Sequence, residues 1–331
     1  MNIRPHQRAF FTVGCSMLMA WLPLSVGAQT KPAKASAAQV QSKVNVLRVK
    51  DHVYMLVGER SNSTVMLTDA GILVVDAMDA ASAPKLIEAI QTLSDKPILY
   101  LINTHAHDSS VGGNEAFSKV GTSNAPPRVG LGMDAARDTA TIISHENVSL
   151  QLSQEQKLSP HAWPTQTYFY GDKELYFGGE AIRMIHQPNA HTDGDTLVYF
   201  RGSDVISTGD VFSTTNYPII DRKHGGTVAG VIAALNNILD IAIPAHHQEG
   251  GTMIIPGRGR LCDEHDVLEY RDMVVIVRAR VKDLVDKGMT LEQVKHARPA
   301  LDYDRRYGAG AGDWSTDDFI GAIFAELRTK P

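Results

Sequence analysis

The residues best placed to do chemistry are two histidines, His105 and His107, in the stretch Asn103-Thr-His-Ala-His-Asp-Ser-Ser-Val-Gly-Gly-Asn114. Spaced two apart at the end of an apolar run, both imidazoles can reach one ion from a short loop. Imidazole is a borderline ligand that suits zinc, iron, copper or nickel. The pair alone is a weak signal. It gains weight because it closes a predicted buried strand and leads into a Gly-Gly-Asn turn, and catalytic groups tend to sit on loops held by rigid elements. Other loops offer further groups. Gln187-Pro-Asn-Ala-His191-Thr-Asp-Gly-Asp195 brings His191, Thr208-Gly-Asp210 an acid, and Pro256-Gly-Arg258-Gly a base, each next to an apolar run. Val74-Val-Asp76 ends another run in an acid.

The elements that must position these groups can be read from the hydrophobic pattern. Residues 44–50, 52–58, 63–67 and 71–77 are runs rich in Val, Leu and Met between turn residues, and predict an antiparallel meander. Residues 82–94 predict a helix with Pro84 near its start, where the missing N–H costs little. Residues 97–102 form the strand before the histidines. Asn114 to Lys119 can start a helix, and residues 133–157 read as one or two helices with a break near His145. Strands are expected near 174–178, 181–187, 196–201 and 204–208, with Gly171-Asp172 and Gly178-Gly179 as hairpin turns. A helix over 228–241 and a strand over 253–255 follow. From Asp263 to Lys287, Val267, Tyr270, Val274, Val277, Val281 and Leu284 recur at helical spacing, and Gly288 is placed to end that helix. Thr290 with Gln293, and Ser315 with Asp318, resemble capping boxes. This order fits two mixed α/β halves, sheet against sheet with helices outside, better than a doubly wound parallel sheet.

Residues 1–28 are set aside as a predicted secretory signal peptide. Arg4 and Arg8 precede a mostly apolar stretch, and Val26-Gly-Ala28 offers a small-residue cleavage site before Gln29. The short apolar core, broken by Pro23, argues against a stable membrane anchor. A periplasmic or secreted location is therefore expected, with residues 29–43 as a flexible leader. Without Arg4 and Arg8 the 32 Lys and Arg of the 331-residue chain fall to 30 against 37 Asp and Glu, a net charge of about −7. There is no basic run and no aromatic–basic patch, so nucleic acid is not the expected partner. Cys262 alone remains after the expected cleavage, so no intrachain disulfide can form. Roughly 300 mature residues suffice for one α/β domain with a full core. That domain is expected over 44–260, with 261–331 as a helical extension packed on it.

In order, Asp76, the His105/His107 pair, His191, Asp210 and the Pro-Gly-Arg-Gly turn resemble the motifs of the metallo-β-lactamase superfamily, over about residues 44–260. The resemblance implies an α/β fold of the αββα type: two mixed β-sheets flanked by helices, with metal at one edge. It places metal ligands at His105, His107 and His191, the bridging aspartate at Asp210 and a structural acid at Asp76. This chain departs from the pattern on one side. Where the family continues after its second histidine with any residue, Asp, His, this chain has Asp108, Ser109, Ser110; where the last motif has histidine, it has Arg258. Those positions would hold the second ion. An un-ionised serine is a poor ligand and guanidinium has no lone pair to give.

The resemblance thus implies one ion, Zn2+ first, on three histidines, with Asp210 nearby or as a fourth ligand. Three histidines plus water is a catalytic zinc arrangement that brings the water's pKa to roughly 7. Arg258 is expected to lie within salt-bridge reach of Asp210 and to bind a substrate carboxylate. Asp108, Ser109 and Ser110 are expected beside the ligands or facing substrate. The expected activity is hydrolysis of a small molecule by metal-activated hydroxide, at the carbonyl of a lactam, lactone, ester or thioester. Two readings compete: a mononuclear Fe2+ oxygenase acting on sulfur compounds, since histidines with a carboxylate suit iron, and a metal- or ligand-binding member without catalysis. Ser109 and Ser110 are read most simply as loop serines bonded to each other or to water. His246 and His247 are read as surface residues, with lining the site or binding metal as the alternatives. His145, His161, His186, His224, His265 and His296 lack a partner pattern and read as structural. Trp163, Tyr168 and Tyr170 read as core or lip residues, and Cys262 as buried.

Overall fold

The computed structural model describes residues 43–122, 139–155, 159–308 and 314–328. The expected signal peptide, and the leader up to residue 42, lie outside the described residues. The meander forms as the pattern predicts, from β1 (Asn45–Lys50), β2 (Val53–Val57), β3 (Asn62–Thr68) and β4 (Gly71–Val75), all antiparallel. Helix α1 (Ala83–Leu93) crosses to β5 (Ile98–Ile102), and β6 (Thr141–His145) and β7 (Gln166–Tyr168) extend the sheet in parallel. A second sheet contains β8 (Asp172–Phe177), β9 (Glu180–Gln187), β10 (Asp195–Phe200) and β11 (Val205–Ser207), antiparallel, with β12 (Met253–Ile255) parallel to β11.

Side chains alternate across a strand, so each strand feeds two cores. Leu73 and Val75 of β4 enter an inter-sheet core with Ile182, Met184, Val198 and Phe200, while Ile72 and Val74 turn outward onto Leu86 and Ile90 of α1. In the second sheet Leu197, Ile206 and Ile254 face outward onto α5 (Val228–Ile241) and α6 (Glu264–Asp286), through Leu235, Ile238, Val274 and Val277. Burying each such aliphatic side chain contributes roughly 1.5–3 kcal/mol. A one-residue register slip would turn all of them to the wrong face, which fixes the register. The result is an αββα sandwich of two mixed sheets flanked by helices.

The C-terminal helices pack on the outer face of the second sheet. Asp263 and Asp266 form a reciprocal capping box at the start of α6, and Thr290 with Gln293 does the same for α7 (Leu291–His296), which the short α8 (Asp304–Tyr307) follows. Ser315 and Asp318 bond each other's backbone N–H at the start of α9 (Thr316–Arg328). Glu326 of α9 accepts from the Val228 N–H at 2.6 Å, tying α9 to the first turn of α5. Among the described residues no helix is long and apolar enough to cross a membrane.

The structure differs from the sequence reading in three places. Residues 141–145, expected to be helical, are strand β6, and only α4 (Glu146–Glu155) after it is helix; residues 133–138 and 156–158 lie outside the described residues. Ile142 and Ile143 are buried on opposite faces between β5 and β7. A strand buried on both faces loses the alternation that would distinguish it from a helix. Gly178-Gly179 does turn β8 into β9, but Gly171-Asp172 is no hairpin, because there the chain passes from one sheet to the other. Lastly, the stretch after His107 winds into a single helical turn, α2 (Asp108–Val111), before α3 (Asn114–Val120).

Candidate metal centre

Strands β4 and β5 run parallel, as do β11 and β12, so the chain leaves each pair at one end. Asp76 follows β4, His105 and His107 follow β5, Asp210 follows β11, and Arg258 follows β12; His191 lies between β9 and β10. The fold brings His105, His107 and His191 together. Their ring centroids are 4.7 to 5.3 Å apart, and the candidate ligand nitrogens all lie within 4.8 Å of one another. His107 Nδ1 is 2.8 Å from His191 Nε2.

The outward nitrogen of each ring is engaged. His105 Nδ1 is 2.9 Å from Thr104 Oγ1, His107 Nε2 is 2.8 Å from Asp221 Oδ2, and His191 Nδ1 is 2.8 Å from the Ile219 carbonyl. Partners on the outer nitrogen fix the tautomer and leave the inner lone pair for an ion. Burial holds the pKa of His105 well below its ordinary value and brings His191 down to about 4, so both are neutral, the state a ligand needs. For His107 burial also opposes charge, but the hydrogen bond and charge of Asp221, with Asp210 and Asp195, raise its pKa overall. This donor set fits one divalent ion.

The opposite side is different in kind. Arg258 Nη2 donates to Asp210 Oδ2 at 2.9 Å, and Asp210 is nearly buried. Burial would raise the Asp210 pKa, yet the charge of Arg258, with contributions from His105 and His191, holds it below the usual carboxylate range. Gly257 makes the approach possible, because a Cβ there would lie 2.4 Å from Asp210 Oδ1. Asp210 Oδ2 is 3.7 Å from His105 Nε2, and Ser109 Oγ stands beside both, 3.1 Å from that nitrogen and 3.5 Å from the carboxylate. Arg258 Nε is buried without a hydrogen-bond partner among the described residues. Beside these groups opens a cavity of about 310 Å3, lined among others by Arg60, His107, Asp108, Ser109, Glu155 and Arg258.

Asp76 sits beneath the histidine loop. Its carboxylate accepts from the Thr104 N–H and hydroxyl, each at 2.8 Å, and from the Ser110 hydroxyl. Burial pushes its pKa up to about 7 against those bonds. The residue itself is left-handed, with φ 65°, a conformation Asp tolerates better than most side chains and one that turns the chain sharply out of β4. The two serines therefore do not bond each other: the α2 turn sends Ser110 down to Asp76 and Ser109 up to His105 and Asp210.

The sequence reading missed Asp221 and His224. His224, taken as structural and without a partner, bonds Asp221 through Nδ1 at 2.5 Å, and Asp221 bonds His107. An acid and a histidine three apart were visible in Asp221-Arg-Lys-His224, but no strand tip marks them, and only the fold brings them to His107. The remaining histidines among the described residues stay outside the site. His145 stacks on His186 at 3.7 Å, while His246 and His247 are exposed and pack on each other at 4.1 Å. Tyr168 is buried with its hydroxyl 2.7 Å from Thr196 Oγ1, Tyr170 is exposed, and Cys262 is buried.

Comparison with known proteins agrees with this geometry. A family model described as the metallo-beta-lactamase superfamily matches residues 56–249. Among solved structures, a metallo-beta-lactamase from Pontibacter korlensis superposes with a TM-score of 0.55 at 14% identity, covering 70% of this chain and 99% of that one. The sec-alkylsulfatase Pisa1 from Pseudomonas sp. gives 0.65 at 13% identity, over 87% of this chain and 52% of that one, so this chain spans about half the alkylsulfatase's length. DIM-1 metallo-beta-lactamase gives 0.53 at 14% identity, over 70% and 97%. At such identities the likeness to these structures is one of fold. With the family model spanning more than half of its length, and with both sheets and their loops in place, the chain belongs to the metallo-beta-lactamase superfamily.

Proposed function

We propose that this protein is a periplasmic or secreted metal-dependent hydrolase that holds one divalent ion, Zn2+ first, on His105, His107 and His191, with Arg258 in the position of a second ion. The observation that carries this reading is the inward convergence of three imidazole nitrogens beside the Asp210–Arg258 pair, at the wall of an open cavity. Zinc held there supplies activated water and a Lewis acid for the carbonyl of a lactam, lactone, ester or thioester. Asp210, kept ionised by Arg258, accepts a hydrogen bond from the attacking water and so orients it. Arg258, partly exposed and lining the cavity, offers its guanidinium to a substrate carboxylate. Ser109 faces the same space and can bond the water or the substrate. The lactamase and alkylsulfatase names among the similar folds support hydrolysis as the reaction class without favouring one bond.

The test is the metal content and stoichiometry of protein purified without added metal, followed by assays on β-lactams, lactones and thioesters during zinc titration. The reading expects about one zinc per chain, with hydrolysis that stops on chelation and returns with zinc. Bound metal with no hydrolysis of any of these counts against it, and bound iron with oxygen uptake on thiols moves the function to the oxygenase reading.

A further inference from the structure

We propose that the loop of residues 219–226 is the outer clamp of the metal centre, and that Asp221 is the positioning residue that fixes His107; this rests on the metal-site reading above. Asp221 Oδ2 accepts from His107 Nε2 at 2.8 Å. The proton is thereby placed on Nε2, and the Nδ1 lone pair is turned toward His191 Nε2. The carboxylate is itself held still. The same oxygen accepts from His224 Nδ1 at 2.5 Å, and Oδ1 accepts from the His224 backbone N–H at 3.2 Å.

The loop serves a second ligand as well. Its Ile219 carbonyl accepts from His191 Nδ1 at 2.8 Å, so one stretch of chain sets the tautomer of two of the three histidines. It is also stitched to the backbone of the His191 loop: the Asp221 N–H donates to the His191 carbonyl at 2.9 Å, and the Asp193 N–H to the His224 carbonyl at 2.9 Å. Gly226 is required for this approach, because a Cβ there would lie 2.2 Å from the His191 carbonyl oxygen. From the cavity side, Glu155 Oε1 stands 3.3 Å from His224 Nε2. A carboxylate on the outer nitrogen makes a ligating imidazole more basic and restricts its rotation, and loss of such a partner typically weakens metal binding about 10–100-fold.

His107, Asp221 and His224 also lie close enough together to hold a cation of their own. Their facing atoms are already joined as two imidazole donors on one carboxylate oxygen, which favours the positioning role.

Zinc affinity is measured by competition with a chromophoric chelator for the parent protein, Asp221→Ala, Asp221→Asn and His224→Ala, together with the visible spectrum of each cobalt-substituted form and the thermal unfolding of each metal-free form. Asp221→Ala is expected to lose about 10–100-fold in zinc affinity and to shift the cobalt bands. Asp221→Asn keeps an acceptor oxygen without the charge and should fall between it and the parent; if the alanine variant does not fold, the asparagine variant decides. Parental affinity and an unchanged cobalt spectrum in the Asp221 variants overturn the proposal, as does a second zinc ion in the parent that Asp221→Ala removes. A parent that binds no ion overturns both this inference and the functional reading, whereas a parent that binds zinc as tightly as its Asp221 variants overturns only this inference.

Discussion

On one side of the site three histidines each turn one ring nitrogen toward a common point, with Thr104, Asp221 and Ile219 holding their outer nitrogens. On the other side a single carboxylate, Asp210, faces the guanidinium of Arg258 at 2.9 Å. The histidine side offers lone pairs to an ion, whereas the arginine side has its charges already matched. A fixed cation where a second ion would stand cannot polarise a leaving group by accepting its lone pair, but it keeps the carboxylate ionised at any working pH and supplies hydrogen-bond donors. Under the proposed function, the two halves of the site would divide the work between binding an ion and orienting the water and the substrate.

The contrast breaks most visibly at its ligands. His105→Ala is expected to abolish metal binding and reduce hydrolysis to background while leaving the fold intact, measured as metal content beside far-UV circular dichroism. Metal retained at the parental level would mean that the ion sits elsewhere. On the arginine side the expected loss is in stability. Arg258→Ala leaves Asp210 buried and uncompensated, which costs about 3 kcal/mol at the lower end for such pairs, because the guanidinium is partly exposed. Denaturant unfolding of Arg258→Ala and of the double variant with Asp210→Asn reads this: the second change should recover part of the loss, and strict additivity would remove the ion pair from the account.

The smallest effect expected is one of pH, and it separates the two sides. His107 has its pKa raised above 6.5 in the metal-free site. Its proton therefore stabilises the metal-free fold fully below pH 6.5, and that contribution is lost as pH rises through the folded value. The ion needs the same imidazole neutral, so zinc affinity should climb through this window by about tenfold per pH unit while one proton is released per ion. Asp210, depressed below 3.8, adds stability present above that value and lost only as pH falls through its folded pKa, so it is silent near neutrality. Affinities compared between about pH 6 and about pH 8 thus report the histidine side. A flat profile would show that His107 does not gate the ion.

Much of this was legible without coordinates. Short apolar runs punctuated by turn residues gave the meander, and the spacing from Val267 to Leu284 gave the long helix, because alternation and helical repeat are local consequences of which face is buried. Asp76, His105, His107, His191 and Asp210 stood out because they lie next to such runs, whereas Asp221 and His224 do not. The reading failed where local pattern carries no such mark. Strand β6 is buried on both faces, with one isoleucine on each, and so has no period to read. Gly171-Asp172 has the composition of a hairpin turn, but its neighbours pair with different sheets. Ser109 and Ser110 are adjacent in sequence and serve opposite sides of the site, since a helical turn separates their directions.

By itself the sequence determined the type of chemistry: three histidines suited to one ion, an aspartate, and an arginine whose lack of a lone pair rules it out as a ligand. These are properties of side chains and need no fold. What only the tertiary structure decided is how those groups are held. Asp221 meets His107 across more than a hundred residues, His224 and Ile219 join it from the same loop, and Gly257 and Gly226 admit backbones and carboxylates at distances no other residue would allow. Such contacts depend on where strand ends emerge from the two sheets, and that depends on long-range packing, which no local pattern of residues encodes.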